Sequence, residues 1–422
     1  MKHRTGTLWV LLVGLASGLL SIFSLVPTDV VAEQSPEAPR IDNPATPRDG
    51  HLTLEPRELW RQGGEDEEIL FGFVITALDD EAGNVYLLDR QLATVFVFSP
   101  AGEYLHNLSR EGEGPGETRL PTDMLWLPDG SLGLVQSLPG KIVKVDRSGD
   151  PAGVIVLGGD TPGAGGMCFL SEARCRSGGI VCCGARALLG QDGLVQNRFL
   201  ATFDEHGAEA ARFLELRDRD VAGTKIREAD SYWVVEGRWC LGPDGSIYTA
   251  PRRDEYAVHV FAPDGHLERI FAREFRSWRR TQQEKDRLRS RWAGRPDETD
   301  GQRDVEIADV DPCLEQLRVA DDGTVWIRHS RSARQQLSGV MVTYDVFDPA
   351  GQFVRTVSLV LPGDAFQDKL VFLSNDRLLL IRGFRDASRA LFGDSPEDQA
   401  AAESPLEVIC YALDGIESAR EE

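Results

Sequence analysis

A unit of two apolar runs and two glycine turns recurs along the chain, and this repeat restricts the fold more than any other feature. The clearest copy reads Gly83-Asn84-Val85-Tyr86-Leu87-Leu88-Asp89, then Val95-Phe96-Val97-Phe98, then Ser99-Pro100-Ala101-Gly102. Further copies begin at Pro128-Asp129-Gly130, Gly178-Gly179, Pro243-Asp244-Gly245 and Asp321-Asp322-Gly323, and a degenerate last copy begins at Asn375-Asp376. Asp-Gly and Pro-Asp-Gly place glycine where a tight hairpin needs positive φ. The runs between the turns are β-branched and aromatic, and of strand length. One small sheet cannot bury both its faces, so the units must stack, and radial stacking is the β-propeller solution. The second turns fall at Gly102, Gly149, Gly207, Gly265, Gly351 and Gly415, with spacings of 47, 58, 58, 86 and 64. Six units predict an all-β, six-bladed propeller over residues 51–416, followed by a charged tail at 417–422. The largest spacing predicts an insertion between the fourth and fifth units. Leu52 to Trp60 is a candidate closing strand for the final blade, which would remove an open edge.

The Gly83–Asp89 stretch, the Val95–Gly102 hairpin and the following Gly112-Glu113-Gly114-Pro115-Gly116-Glu117 look like NHL-type repeats. More closely, they resemble the exported bacterial six-bladed β-propeller proteins. The resemblance covers roughly residues 52–415 and weakens in the third and sixth units. It implies a fold and leaves the ligand open, because one propeller fold serves many functions.

The N-terminus carries an address. Lys2, His3 and Arg4 are followed by 19 uncharged residues from Leu8 to Val26, and Val30 and Ala32 suit a signal-peptidase site. The expectation is a signal peptide over 1–32, with an uncleaved membrane anchor at 8–26 as the alternative, so the body is periplasmic or extracellular. Residues 33–50 hold four prolines and read as a linker. The formal charge of −22 argues against a nucleic-acid partner, since phosphate neutralisation needs a basic face.

The insertion departs from this acidity. Phe271 to Pro296 carries nine Arg or Lys against three Asp or Glu. Its apolar and aromatic spacing predicts a basic helix over 274–293. Trp278, Arg279, Arg280, Arg287 and Trp292 are candidate contacts with an anionic partner, or else the helix simply packs on the propeller.

Propeller ligands bind at a mouth of the central channel. Counting from each first-turn glycine places Asp89, Arg90, Arg186, Arg252, Arg253, Asp254, His329, Arg331 and Arg382 near one mouth. Arginines there would bind carboxylate, sulfate or phosphate groups, or would pair with acids of neighbouring blades as clips. Cys168, Cys175, Cys182 and Cys183 are candidates for disulfides or inert buried thiols, and their spacing does not suit zinc. No H-E-x-x-H, G-x-S-x-G or phosphate loop occurs, so no residue is assigned to catalysis. Two functions follow. One is a binding or scaffold propeller of the cell envelope that recognises a protein, peptide, glycan or small anion and needs no cofactor. The other is a lyase, lactonase or hydrolase with a divalent cation in its channel.

Overall fold

In the computed structural model of this chain the described residues are 38–65, 69–157, 167–176, 178–190, 193–219, 225–293, 304–374, 376–392 and 405–413. They form a six-bladed β-propeller. Blade 1 comprises Val74–Asp79, Val85–Asp89, Thr94–Phe98 and Tyr104–Leu108. Blade 2 comprises Pro121–Trp126, Leu132–Gln136, Lys141–Val145 and Pro151–Val156. Blade 3 comprises Met167–Arg176, Gly179–Gly190, Gly193–Phe203 and Glu209–Arg219. Blade 4 comprises Trp239–Leu241, Ile247–Thr249, Ala257–Phe261 and Leu267–Arg273. Blade 5 comprises Leu314–Val319, Val325–His329, Val340–Phe347 and Phe353–Val360. Blade 6 has Lys369–Phe372, Arg377–Arg382 and Glu407–Ala412.

The N-terminal residues complete the outside of three blades. Strand β1 (Arg40–Asn43) adds in parallel to the last strand of blade 4, pairing Ile41 with Phe271. Strand β2 (His51–Leu54) adds in parallel to blade 5. Strand β3 (Arg57–Gly63) is the antiparallel fourth strand of blade 6, with Trp60 opposite Cys410. The expected closing strand is therefore divided: Pro56 separates a segment on blade 5 from the closing segment on blade 6. Part of the expected linker is pinned as β1, because Asn43 donates to Ala272 O at 3.0 Å and to Gly351 O at 2.9 Å, joining blades 4 and 5.

The first strand of each blade lines the channel. Neighbouring first strands touch through bonds such as Thr122 Oγ1 to Leu170 O (3.4 Å) and Lys369 Nζ to Ile75 O (2.6 Å). The second and third strands are buried on both faces, as Val85–Asp89 and Thr94–Phe98 show. Alternation divides them: Leu87 and Phe98 pack towards blade 6, Leu88 and Val97 towards blade 2. The core is thus a ring of interblade layers rather than one centre.

Antiparallel order puts the glycine turns on one face and the longer connections on the other. Gly102 (φ +86) shows why glycine recurs at the second turn: a Cβ there would lie 2.5 Å from the Trp60 ring of β3. At Gly351 (φ +84) a Cβ would lie 2.9 Å from the Cβ of Phe271 of blade 4. These turns need both the left-handed backbone and the absence of a side chain.

The opposite face carries two helices among the described residues. Helix α1 (Gln282–Ala293) lies between blades 4 and 5, where the repeat spacing predicts an insertion. It is shorter than the expected 274–293, because Thr281 and Glu284 form a reciprocal capping box that starts the helix there. Helix α2 (Phe384–Phe392), which the repeat pattern does not predict, joins the second and third strands of blade 6. The expected signal or anchor (1–32), the turn at Gly415 and the tail at 417–422 fall outside the described residues. Among the described residues no helix is long and apolar enough to cross a membrane.

Candidate functional site

The residues counted from the first-turn glycines lie on the second strand of each blade or just past its end, one strand out from the channel. Both strands of a hairpin read as short apolar runs, so the turn pattern alone does not say which one is innermost. The structure gives most of these side chains a partner. Asp89 is fully buried and accepts from the amides of Gly72 (2.7 Å), Phe73 (3.1 Å) and Leu92 (3.0 Å), which organises the entry to blade 1. Arg186 is part-buried on blade 3, opposite Cys168. Arg252 pairs with Glu255 at the surface (2.8 Å), and Arg382 pairs with Glu407 (3.0 Å). Arg253 is buried between Glu228 (3.3 Å) and Asp254 (2.7 Å). Arg331 donates to Arg276 O at 2.7 Å and lies 5.6 Å over Trp278.

His329 belongs to a buried cluster between blades 4 and 5. Asp345 there accepts from Tyr256 Oη (2.5 Å) and from both Nε (2.9 Å) and Nη2 (2.6 Å) of Arg273, with His329 Nε2 at 3.5 Å. Burial opposes ionisation of Asp345, but His329, Arg273 and Tyr256 hold its pKa below the usual carboxylate range. This is a satisfied interblade clip.

The insertion is fastened in the same way. Arg280 is buried, with both Nη atoms on Glu228 (2.9 and 3.1 Å) and its Nε on Asp311 (2.6 Å). Trp278 is part-buried under Arg334, 4.8 Å away, and Arg279 is exposed near Asp309 at 3.9 Å. Trp278, Arg279 and Arg280 precede the helix. On α1 itself, Trp292 and Leu288 pack against Val305 and Ile307 while Arg287 is exposed.

The cysteines are all free thiols. Neighbouring positions on a strand face opposite ways, so Cys182 enters the core between blades 2 and 3 with Cys168 and Cys175, while Cys183 enters the core between blades 3 and 4. Of the two expected alternatives, disulfides or inert thiols, the structure has free thiols, part-buried at Cys168 and Cys175 and buried at Cys182 and Cys183, and burial raises the pKa of all four.

Arg90 has no carboxylate partner within the described residues. It is half-buried, its Nε has no hydrogen-bond partner, and its guanidinium lies 4.9 Å over the Phe392 ring of α2. Burial lowers its pKa to about 10. A second cation shares this environment. Lys369, at the start of the innermost strand of blade 6, lies 5.0 Å from the Phe384 ring and has no acid within ion-pair distance among the described residues. Burial lowers its pKa, opposed by Glu172, Asp123 and Glu236 deeper in the channel. Asp123 takes an ion pair from Arg174 and a bond from the Ala173 amide at 3.0 Å. Glu172 accepts from the Glu236 amide at 2.5 Å, and burial raises its pKa. Sequence counting misses Lys369, Glu172, Arg174 and Asp123. The signal was the polar alternation of Ser171-Glu172-Ala173-Arg174 just before a turn, which marks a strand with one wet face.

Among the described residues no group of three or more His, Cys, Asp or Glu side chains is placed to hold a metal ion. The arrangement offers two cations without an ion-pair partner among the described residues, and a carboxylate–guanidinium pair nearby.

No family model matches the chain, and no curated protein matches its sequence. Solved structures resemble it at low identity. A candidate exported protein of Bacteroides fragilis is 10% identical, with a TM-score of 0.43 over 88% of this chain and 99% of its own. Regucalcin from Agrobacterium tumefaciens, a calcium-binding protein, is 11% identical, with a TM-score of 0.40 over 86% and 94%. A gluconolactonase from Xanthomonas campestris is 14% identical, with a TM-score of 0.38 over 91% and 100%.

Proposed function

We propose that this chain is an exported binding propeller of the cell envelope that takes an anionic ligand at the channel mouth covered by α2. Export rests on the apolar N-terminal stretch. The single observation that carries the binding reading is the pair Arg90 and Lys369. Both are half-buried, both have their pKa lowered by burial, and neither meets a carboxylate among the described residues. An unpaired buried cation is costly, and such groups gather where a ligand supplies the missing charge. Carboxylate, phosphate or sulfate groups fit, with Arg90 offering a bidentate fork and Lys369 a point charge.

Calorimetric titration of the full chain with succinate, inorganic phosphate and sulfate tests this. Binding of at least one anion is expected, weakened at least tenfold by Arg90→Met or Lys369→Met. Equal binding by the variants, or no binding at all, defeats the reading.

A second reading is acid–base catalysis in the same channel. It is supported by Glu172 and Lys369, whose pKa values move in opposite directions, towards the neutral form of each. Turnover of lactone or ester substrates that Glu172→Gln abolishes would favour it. In that case a divalent cation would be sought by the shift in melting temperature on adding Ca2+, Zn2+ or Mn2+.

A further inference from the structure

We infer that helix α2 occupies the place of the ligand's own ring, so that the site takes an aromatic or flat apolar anion with an acidic group at each end. This inference rests on the anion-binding reading above. Three phenyl rings connect the two unpaired cations. Arg90 lies 4.9 Å from the Phe392 ring, Phe392 6.1 Å from Phe73, Phe73 5.1 Å from Phe384, and Lys369 Nζ 5.0 Å from Phe384. Each cation is held by the face of a ring, which attracts it without neutralising it. A ligand with a ring and two acidic groups would keep the aromatic contact and add the missing charge.

The rings differ in what holds them. Phe73 belongs to the propeller and is 3% exposed. Phe384 and Phe392 belong to α2, which has no buried residue, and Phe392 is 38% exposed. Phe384, Ala387 and Leu391 lean on the cores of blades 1 and 6, while Arg385 and Arg389 face solvent. Polar fastening is slight: the Arg385 amide donates to Gln367 O at 2.8 Å and Arg389 to Gln367 Oε1 at 3.0 Å. The helix begins after Gly383 (φ +75), where a Cβ would find no protein atom nearer than 4.0 Å. A lightly buried helix after an unobstructed glycine can leave the mouth at small cost. Its two phenylalanines are then internal competitors of the ligand.

The test is calorimetric titration of the full chain with terephthalate against adipate, a dicarboxylate of similar reach without a ring. Terephthalate is expected to bind at least tenfold more tightly. The double variant Phe384→Ala/Phe392→Ala, with its fold checked by circular dichroism, is expected to bind terephthalate several-fold better than the natural chain. If the double variant does not fold, Phe392→Ser at the exposed end replaces it, with the same direction expected. Equal affinity for the two acids, or weaker terephthalate binding by the variant, overturns the inference and leaves the anion reading standing. If neither acid binds the natural chain or the variant, the inference falls, and the anion reading falls with it only if succinate, phosphate and sulfate also fail to bind.

Discussion

Two groups of buried charge lie on the helix-bearing side of this propeller, and they are built on opposite plans. Between blades 4 and 5, Asp345 is surrounded by Arg273, Tyr256 and His329, so its charge is compensated within the fold. At the channel mouth, Arg90 and Lys369 are covered by the rings of α2 and meet no acid among the described residues. Removing one partner from a compensated group strands the rest, whereas removing an uncompensated charge relieves a cost. The first plan stabilises a structure; the second holds binding potential in reserve. Cation and ring content would not separate the two, since both set a cation beside aromatic rings.

The largest effect tests the clip. Asp345→Ala should cost about 3–5 kcal/mol in denaturant unfolding, because Arg273 stays buried without its carboxylate. A loss under about 1 kcal/mol would erase the contrast with the mouth.

Next comes a buried base without an acid partner, His259 on the third strand of blade 4. Burial and the nearby Arg252 lower its pKa to about 4. Between that value and the unfolded one near 6.5 the unfolded chain binds the extra proton. Stability is therefore fully present above about pH 6.5 and should fall by about 3 kcal/mol as pH drops to 4. His259→Leu should flatten that segment of the stability curve. Asp345 behaves differently: its lowered pKa keeps its contribution intact until the pH falls below the ordinary aspartate range.

A smaller effect of opposite sign is expected at the mouth. Arg90→Met should stabilise the fold by about 1 kcal/mol in thermal unfolding while weakening anion binding at least tenfold. A destabilised variant would mean that Arg90 has a compensating partner after all. Smallest is Arg252→Ala at the exposed Glu255 pair, expected to stay within about 0.5 kcal/mol and to leave anion titrations unchanged.

The architecture was legible because glycine turns announce themselves. Gly102 and Gly351 need positive φ and a bare Cα, so no other residue can conceal the repeat at those points. The innermost strands were not legible by that route. The doubly buried strands, such as Val85–Asp89, carry the strongest apolar signal, and the channel strands are marked only by scattered polar residues. Counting from turns therefore reached Arg90 but passed over Lys369, which opens a short strand with no glycine turn just before it. The aromatic cover was hidden for a different reason. Helix α2 interrupts the most degenerate repeat, and its role depends on Phe73, more than 300 residues earlier in the chain.

The three outer N-terminal strands impose an order on synthesis. Asn43 finds its partner Ala272 only 229 residues later, and Arg61 reaches Glu407 346 residues later. These strands leave the ribosome first and can pair only when blades 4, 5 and 6 have emerged. Closing loops of that length is entropically slow, so the ring stays open until the last blade arrives. A chain whose first strands must wait for its last ones keeps an unclosed ring throughout its synthesis.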